Sequence, residues 1–121
     1  MKLKALTVLA TIVLAVACSS CGDNCEERVL KASSLIDAAI AANKSCRVDA
    51  DCVAINLSTD CYGTCSGSVA ASGADEVRDA INEANHEHCS GYVDDGCPFM
   101  TPECLAVEAV CKAGTCDLEV S

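Results

Sequence analysis

The chain has no tryptophan, only two tyrosines, one phenylalanine and two prolines. Tyr62, Tyr92 and Phe99 are too few and too scattered to form a ladder of rings for stacking unpaired bases. They also leave the core to alanine and aliphatic side chains, so the core is thin. Positive charge is scarce: eight Lys and Arg stand against eighteen Asp and Glu, a formal net charge of −10. Such a surface repels phosphate backbones, and no basic patch offsets it, which excludes nucleic acid as a partner. Beyond the first seventeen residues no stretch is apolar enough to cross a bilayer.

What the chain has in quantity is cysteine, twelve in all. Four of them sit in CRVDADCVAINLSTDCYGTCSGSVAAS, Cys46 to Ser72, around two runs with strand character. A small exported chain with a thin core compensates through crosslinks. Each bridge contributes roughly 2–4 kcal/mol, mainly by restricting the unfolded chain, so reduction is expected to unfold the domain. The framework cysteines are Cys25, Cys46, Cys52, Cys61, Cys65, Cys89, Cys97, Cys104, Cys111 and Cys116. Their pairing does not follow from their order.

Residues 1–17, MKLKALTVLATIVLAVA, place Lys2 and Lys4 before an uncharged run from Ala5 to Ala17. This is a signal peptide, and its apolar part, about thirteen residues, falls short of the roughly twenty a stable span needs. Its end, Leu14-Ala15-Val16-Ala17-Cys18, resembles the lipobox of bacterial lipoproteins, with Ala15 where that pattern commonly has leucine. The resemblance implies that Cys18 is acylated and becomes the mature N-terminus. With no aspartate after the cysteine, it also implies an anchor in the outer membrane. Residues 18–24 then form a short polar tether, and 25–121 a single domain. The same Ala15-Val16-Ala17 also fits ordinary signal cleavage, which releases a secreted or periplasmic protein. If Cys18 is acylated, eleven cysteines remain and one is odd; Cys21, in the tether, is the candidate.

Asp23 and Asn24 can cap a helix starting near Cys25, with Glu26 and Glu27 in its first turn. Cys25, Val29, Ala32, Leu35, Ile36, Ala39 and Ile40 share one face at helical spacing. Cys52 to Ser58 alternates Val53, Ile55 and Leu57 against Ala54, Asn56 and Ser58, which is strand periodicity. Asp60 to Gly63 turns, and Gly67 to Ala71 returns as a second strand. A second helix is expected from Ser72, with Asp75 completing a capping box and Ala74, Val77, Ala80, Ile81, Ala84 and His88 on its apolar face. Breakers mark 89–104 as loop. Leu105, Val107, Ala109 and Cys111, then Cys116, Leu118 and Val120, alternate as a closing hairpin, although Ala and Glu between 105 and 110 also suit a helix. The expected fold class is α+β, with two helices on a three- or four-stranded antiparallel sheet. The spacing C-x5-C-x8-C-x3-C from Cys46, with C-x4-C at Cys111 and Cys116, is similar to that of many cysteine-rich exported bacterial proteins. That similarity implies no activity.

Chemistry-bearing constellations are weak. Cys18-Ser-Ser-Cys21 has redox spacing but lies outside any thioredoxin-like unit. His86 and His88, two apart on a helix, cannot grip one metal, and His88 is expected as a hydrogen-bonded core residue. Gly63-Thr-Cys65-Ser-Gly67 mimics a nucleophile elbow without the large parallel sheet that motif requires. Asp49 with Asp51, and Asp94 with Asp95, lack the spacing of a calcium loop. No catalytic residue, metal or cofactor is assigned, and no enzyme activity is expected. The one segment suited to binding is Cys97-Pro-Phe-Met-Thr-Pro-Glu-Cys104, two cysteines around a loop stiffened by Pro98 and Pro102. Pro98, Phe99, Met100 and Thr101 are candidate contacts, since preorganisation lowers the ordering cost of binding. In a chain so poor in aromatics, however, Phe99 and Met100 are expected to plug the open side of the sheet. The leading expectation is a lipid-anchored, non-enzymatic binding or structural module of the cell envelope, held to the membrane by its lipid and facing a protein or envelope partner. The alternative is a secreted protease inhibitor acting through the loop 97–104.

Overall fold

A computed structural model describes residues 24–121. Within it the chain is α+β: helix α1 (Cys25–Ala41), strands β1 (Cys52–Asn56) and β2 (Ser66–Ala70), helix α2 (Ala74–Ala84), and strands β3 (Val107–Lys112) and β4 (Thr115–Val120). The expected signal peptide, and with it Cys18 and Cys21, lies outside the described residues.

Asn24 caps α1 as its sequence indicates, its side-chain oxygen accepting from the Glu27 N–H at 2.8 Å. Ala32 and Ile36 are the helix's fully buried positions. At the far end no glycine stops the helix. Asn43 does so instead, its Nδ2 donating to the Ala39 carbonyl at 2.8 Å while its backbone N–H reaches Ile40.

The strands form two antiparallel hairpins, β1–β2 and β3–β4. Cys52 pairs with Ala70 and Asn56 with Ser66, and Val107 pairs with Val120 and Lys112 with Thr115. The second hairpin closes through Ala113 and Gly114, both at positive φ (50° and 81°), the two-residue turn that matches strand twist. The hairpins stack face to face. One face of β1–β2, carrying Ile55 and Val69, meets Val77 of α2; the other, carrying Cys52 and Ala70, meets Cys116 with Ala109 and Cys111. β2 is therefore covered on both sides, and Ser68, Val69 and Ala70 are all buried. The small side chains allow close approach. Cys52 and Cys116 have Cα atoms 5.6 Å apart, against roughly 10 Å between ordinarily packed sheets. Residues 44–46 seal the edge: Cys116 N–H donates to the Lys44 carbonyl and Cys46 N–H to that of Gly114.

Three sequence expectations are refined. Of the segment 105–110, Val107 onward is strand, and 105–106 has no regular structure. The helix expected from Ser72 begins at Ala74, after a 3₁₀ turn over Ala71–Gly73, and no capping box forms. Gly73 lies against the Asn43 side chain, where a Cβ would collide, so the entry to α2 is set by tertiary contact. Beyond Ala84 the helix widens into a π-type turn, Asn85–Cys89. His88 falls in that turn, partly exposed, with the Glu87 carboxylate 3.9 Å from its Nε2, and is not the core histidine its spacing suggested.

All ten described cysteines are paired: Cys25–Cys97, Cys46–Cys111, Cys52–Cys116, Cys61–Cys89 and Cys65–Cys104. No core cysteine is left over for Cys21.

Candidate functional site

Three of the five bridges converge on the irregular part of the chain between 85 and 104. Cys97, buried, is tied to the first residue of α1, and Cys104 to Cys65 just before β2. Cys61–Cys89, almost wholly buried, ties the turn after β1 to the end of the π-type turn. Both ends of the 97–104 loop are thus fixed to different parts of the domain. The middle is fixed too: the Gly63 N–H donates to the Met100 carbonyl at 3.3 Å. Gly63 is required there, since a Cβ would stand 2.5 Å from Pro102 Cδ and 2.6 Å from the Met100 oxygen.

The candidate binding residues lie on the outside of this frame. Met100 is 80% exposed and Phe99 41%, so the pair does not plug the sheet. The physical reason is the second hairpin, which covers the face the loop was expected to fill. Pro98 and Thr101 are exposed on either side of the pair. Phe99 lines two recesses. One, about 390 Å³, is lined by Thr59, Asp60, Tyr92, Val93 and Asp94. The other, about 220 Å³, lies between Ser58, Thr64, Ser66 and Pro102.

The larger recess has a rigid floor. Thr59 Oγ1 accepts from the N–H groups of Cys61 and Tyr62 at 3.3 and 3.4 Å, and its own N–H donates to the Tyr62 carbonyl. Asp60 is locked to Asn85 in both directions, its N–H donating to Oδ1 at 2.7 Å and its Oδ2 accepting from Nδ2 at 3.1 Å. Behind the floor, Arg28 of α1 holds the 88–95 turn with its whole guanidinium. It donates to the carbonyls of His88 and Ser90 at 2.9 and 2.7 Å and to Asp95 Oδ2 at 2.9 Å, and it lies 5.3 Å from the Tyr92 ring centroid. The rim is mixed, with Val93 and Phe99 apolar and Asp60 and Asp94 acidic. Such a rim suits a partner segment that joins an apolar side chain to a basic one.

The other sequence candidates are structural. Cys65, the cysteine of the elbow-like motif, is bonded to Cys104. Asp49 Oδ1 accepts from the Cys111 N–H at 2.8 Å. Asp51 Oδ2 accepts from the Arg47 and Val48 N–H groups at 2.8 and 3.1 Å, and these bonds hold its carboxyl below the ordinary aspartate value. Burial, with Asp37 nearby, pushes the Tyr62 phenol up. Sequence reasoning missed Arg28, whose partners lie sixty and more residues away, and the recess, which no local pattern announces. Gly63 had a local signal in its turn, but not its reason.

No protein-family model, curated protein or solved structure matches the chain. The class is therefore defined by what the fold displays: a disulfide-rich α+β domain. Its five bridges indicate an oxidising, exported environment. No described helix is long and apolar enough to cross a membrane.

Proposed function

We propose that the chain is a non-enzymatic binding module of the bacterial cell envelope, anchored in the outer membrane by a lipid on Cys18, that docks a protein partner on the 97–104 loop and its adjoining recess. The observation that carries this reading is Met100, 80% exposed at the centre of a loop bonded at both ends. With Phe99 beside it, Met100 forms an exposed apolar pair on a support that is already ordered, so covering it buries apolar area at a low ordering cost. A photo-crosslinking residue at position 100, introduced in the native host, should give one discrete protein adduct. The same residue at Glu76, on the solvent side of α2, should not. Equal labelling at both positions, or none at position 100, overturns the docking reading. The anchor is tested by the intact mass of the mature protein, which should exceed that of residues 18–121 by several acyl chains.

The inhibitor reading draws support from the same exposed, doubly bridged loop. A substrate-like inhibitor must present the carbonyl of its central residue to the protease, and the Met100 carbonyl is turned inward to Gly63. Phe99 is the remaining centre for such a contact. Absence of inhibition of chymotrypsin-like and elastase-like enzymes at micromolar concentration ends that reading for those classes.

A further inference from the structure

The sulfur atoms of Cys46, Cys52 and Cys116 all lie within 4.8 Å of one another, although they belong to two different bridges. Cys111, the fourth sulfur of those bridges, is not part of the cluster. Access to the two bridges is unequal. Cys46 and Cys111 are partly exposed, whereas Cys52 is 7% and Cys116 0% exposed. Cys46 also lines a recess of about 610 Å³ with Arg47, Ala50, Ala70 and Ser72, open to a small reagent. Thiol–disulfide exchange requires a thiolate beside a disulfide sulfur and a route for the first reductant. Both are present.

We propose that these bridges form an exchange pair, in which reduction of the accessible Cys46–Cys111 bond is passed inward to Cys52–Cys116 through Cys46. The reductant is an external dithiol. One of its thiolates attacks the Cys111 sulfur, forming a mixed disulfide and releasing Cys46 as a thiolate. Its second thiol closes on the first, forming the reagent's own disulfide and releasing Cys111. Cys46 then attacks the sulfur of Cys52 or Cys116, making a new bond and expelling the other as a thiolate. The dithiol loses two electrons and two protons. The protein holds them as thiols at Cys111 and at one of the two formerly buried positions. Attack on Cys52 leaves the β3–β4 hairpin without a sulfur tie to residues 46–52, whereas attack on Cys116 keeps one.

The test treats the folded protein with limiting dithiothreitol, traps thiols by alkylation at intervals and maps them by residue. The first two-thiol species should carry Cys111 together with Cys52 or Cys116, with Cys46 still bonded. Alkylation of Cys46 and Cys111 together, with Cys52–Cys116 intact, overturns the proposal. Two variants sharpen it, because Cys111→Ser and Cys46→Ser lack the same bridge and any general loosening affects them alike. In Cys111→Ser the leftover thiol should be found at Cys52 or Cys116 at least several-fold more often than in Cys46→Ser, where it should stay on Cys111. A thiol fixed on Cys46 in the first variant, or equal scrambling in both, refutes the exchange.

Discussion

The stacked hairpins and the 85–104 segment are held together by different means. In the hairpins every strand has ladder partners, the facing side chains are small, and two bridges reinforce contacts that the backbone already makes. The 85–104 segment has one π-type turn and otherwise no regular structure, yet it carries the exposed Phe99 and Met100. Its order comes from three bridges, Arg28 and the close approach at Gly63. Regular structure supports itself locally, whereas an exposed loop on a small domain borrows its rigidity through long-range bonds.

That contrast can be broken in graded steps. Replacing both Cys61 and Cys89 by alanine removes the most buried bridge and should cost about 2–5 kcal/mol, read as a lowered denaturant midpoint. Replacing both Cys46 and Cys111 should cost less, because the ladder and Cys52–Cys116 remain; an equal loss would show that the two regions do not differ. Arg28→Ala is expected next, at about 2–3 kcal/mol for its charged-donor bonds to the two carbonyls. The exposed Asp95 partner adds little. Hydrogen exchange should rise over 88–96 and stay unchanged in β3–β4. Gly63→Ala, which drives a Cβ into Pro102 and the Met100 carbonyl, should cost about 1–3 kcal/mol and shift the 99–102 resonances. The smallest effect is that of acid on the 47–51 turn. The Asp51 carboxyl is held below its unfolded value, so its support is complete above the ordinary aspartate range near 3.9 and is lost as pH falls through the lower folded value. Asp51→Asn should remove that pH dependence at the Arg47 and Val48 amides.

The helices and strands were legible because their signals are local. Asn24 before an apolar stripe at 3.6 spacing defines α1, and the period-2 alternation of Val53, Ile55 and Leu57 defines β1. Alternation does not say what covers the other face. Cys52 and Ala70 lie on the face away from Val77, and their small size admits a second hairpin there. The error at Phe99 and Met100 has the same root: the space reserved for them was already filled. At Ser72, a side chain suited to capping was overridden by the contact between Gly73 and Asn43. Of the site, the loop's boundaries and its stiffness were readable from Cys97, Pro98, Pro102 and Cys104. The recess was not, since Asp60, Tyr92 and Phe99 meet only through the bridges and Arg28.

The bridge pattern carries a consequence for how such a chain matures. Each bond joins one of Cys25, Cys46, Cys52, Cys61 and Cys65 to one of Cys89, Cys97, Cys104, Cys111 and Cys116, and none closes within either group. A polypeptide delivered N-terminus first into an oxidising space therefore displays the thiols of Cys25, Cys46, Cys52, Cys61 and Cys65 before any of their native partners has emerged. Rapid oxidation in order of arrival yields only wrong pairs, so maturation of this domain depends on slow closure or on a catalyst that reshuffles bonds already made.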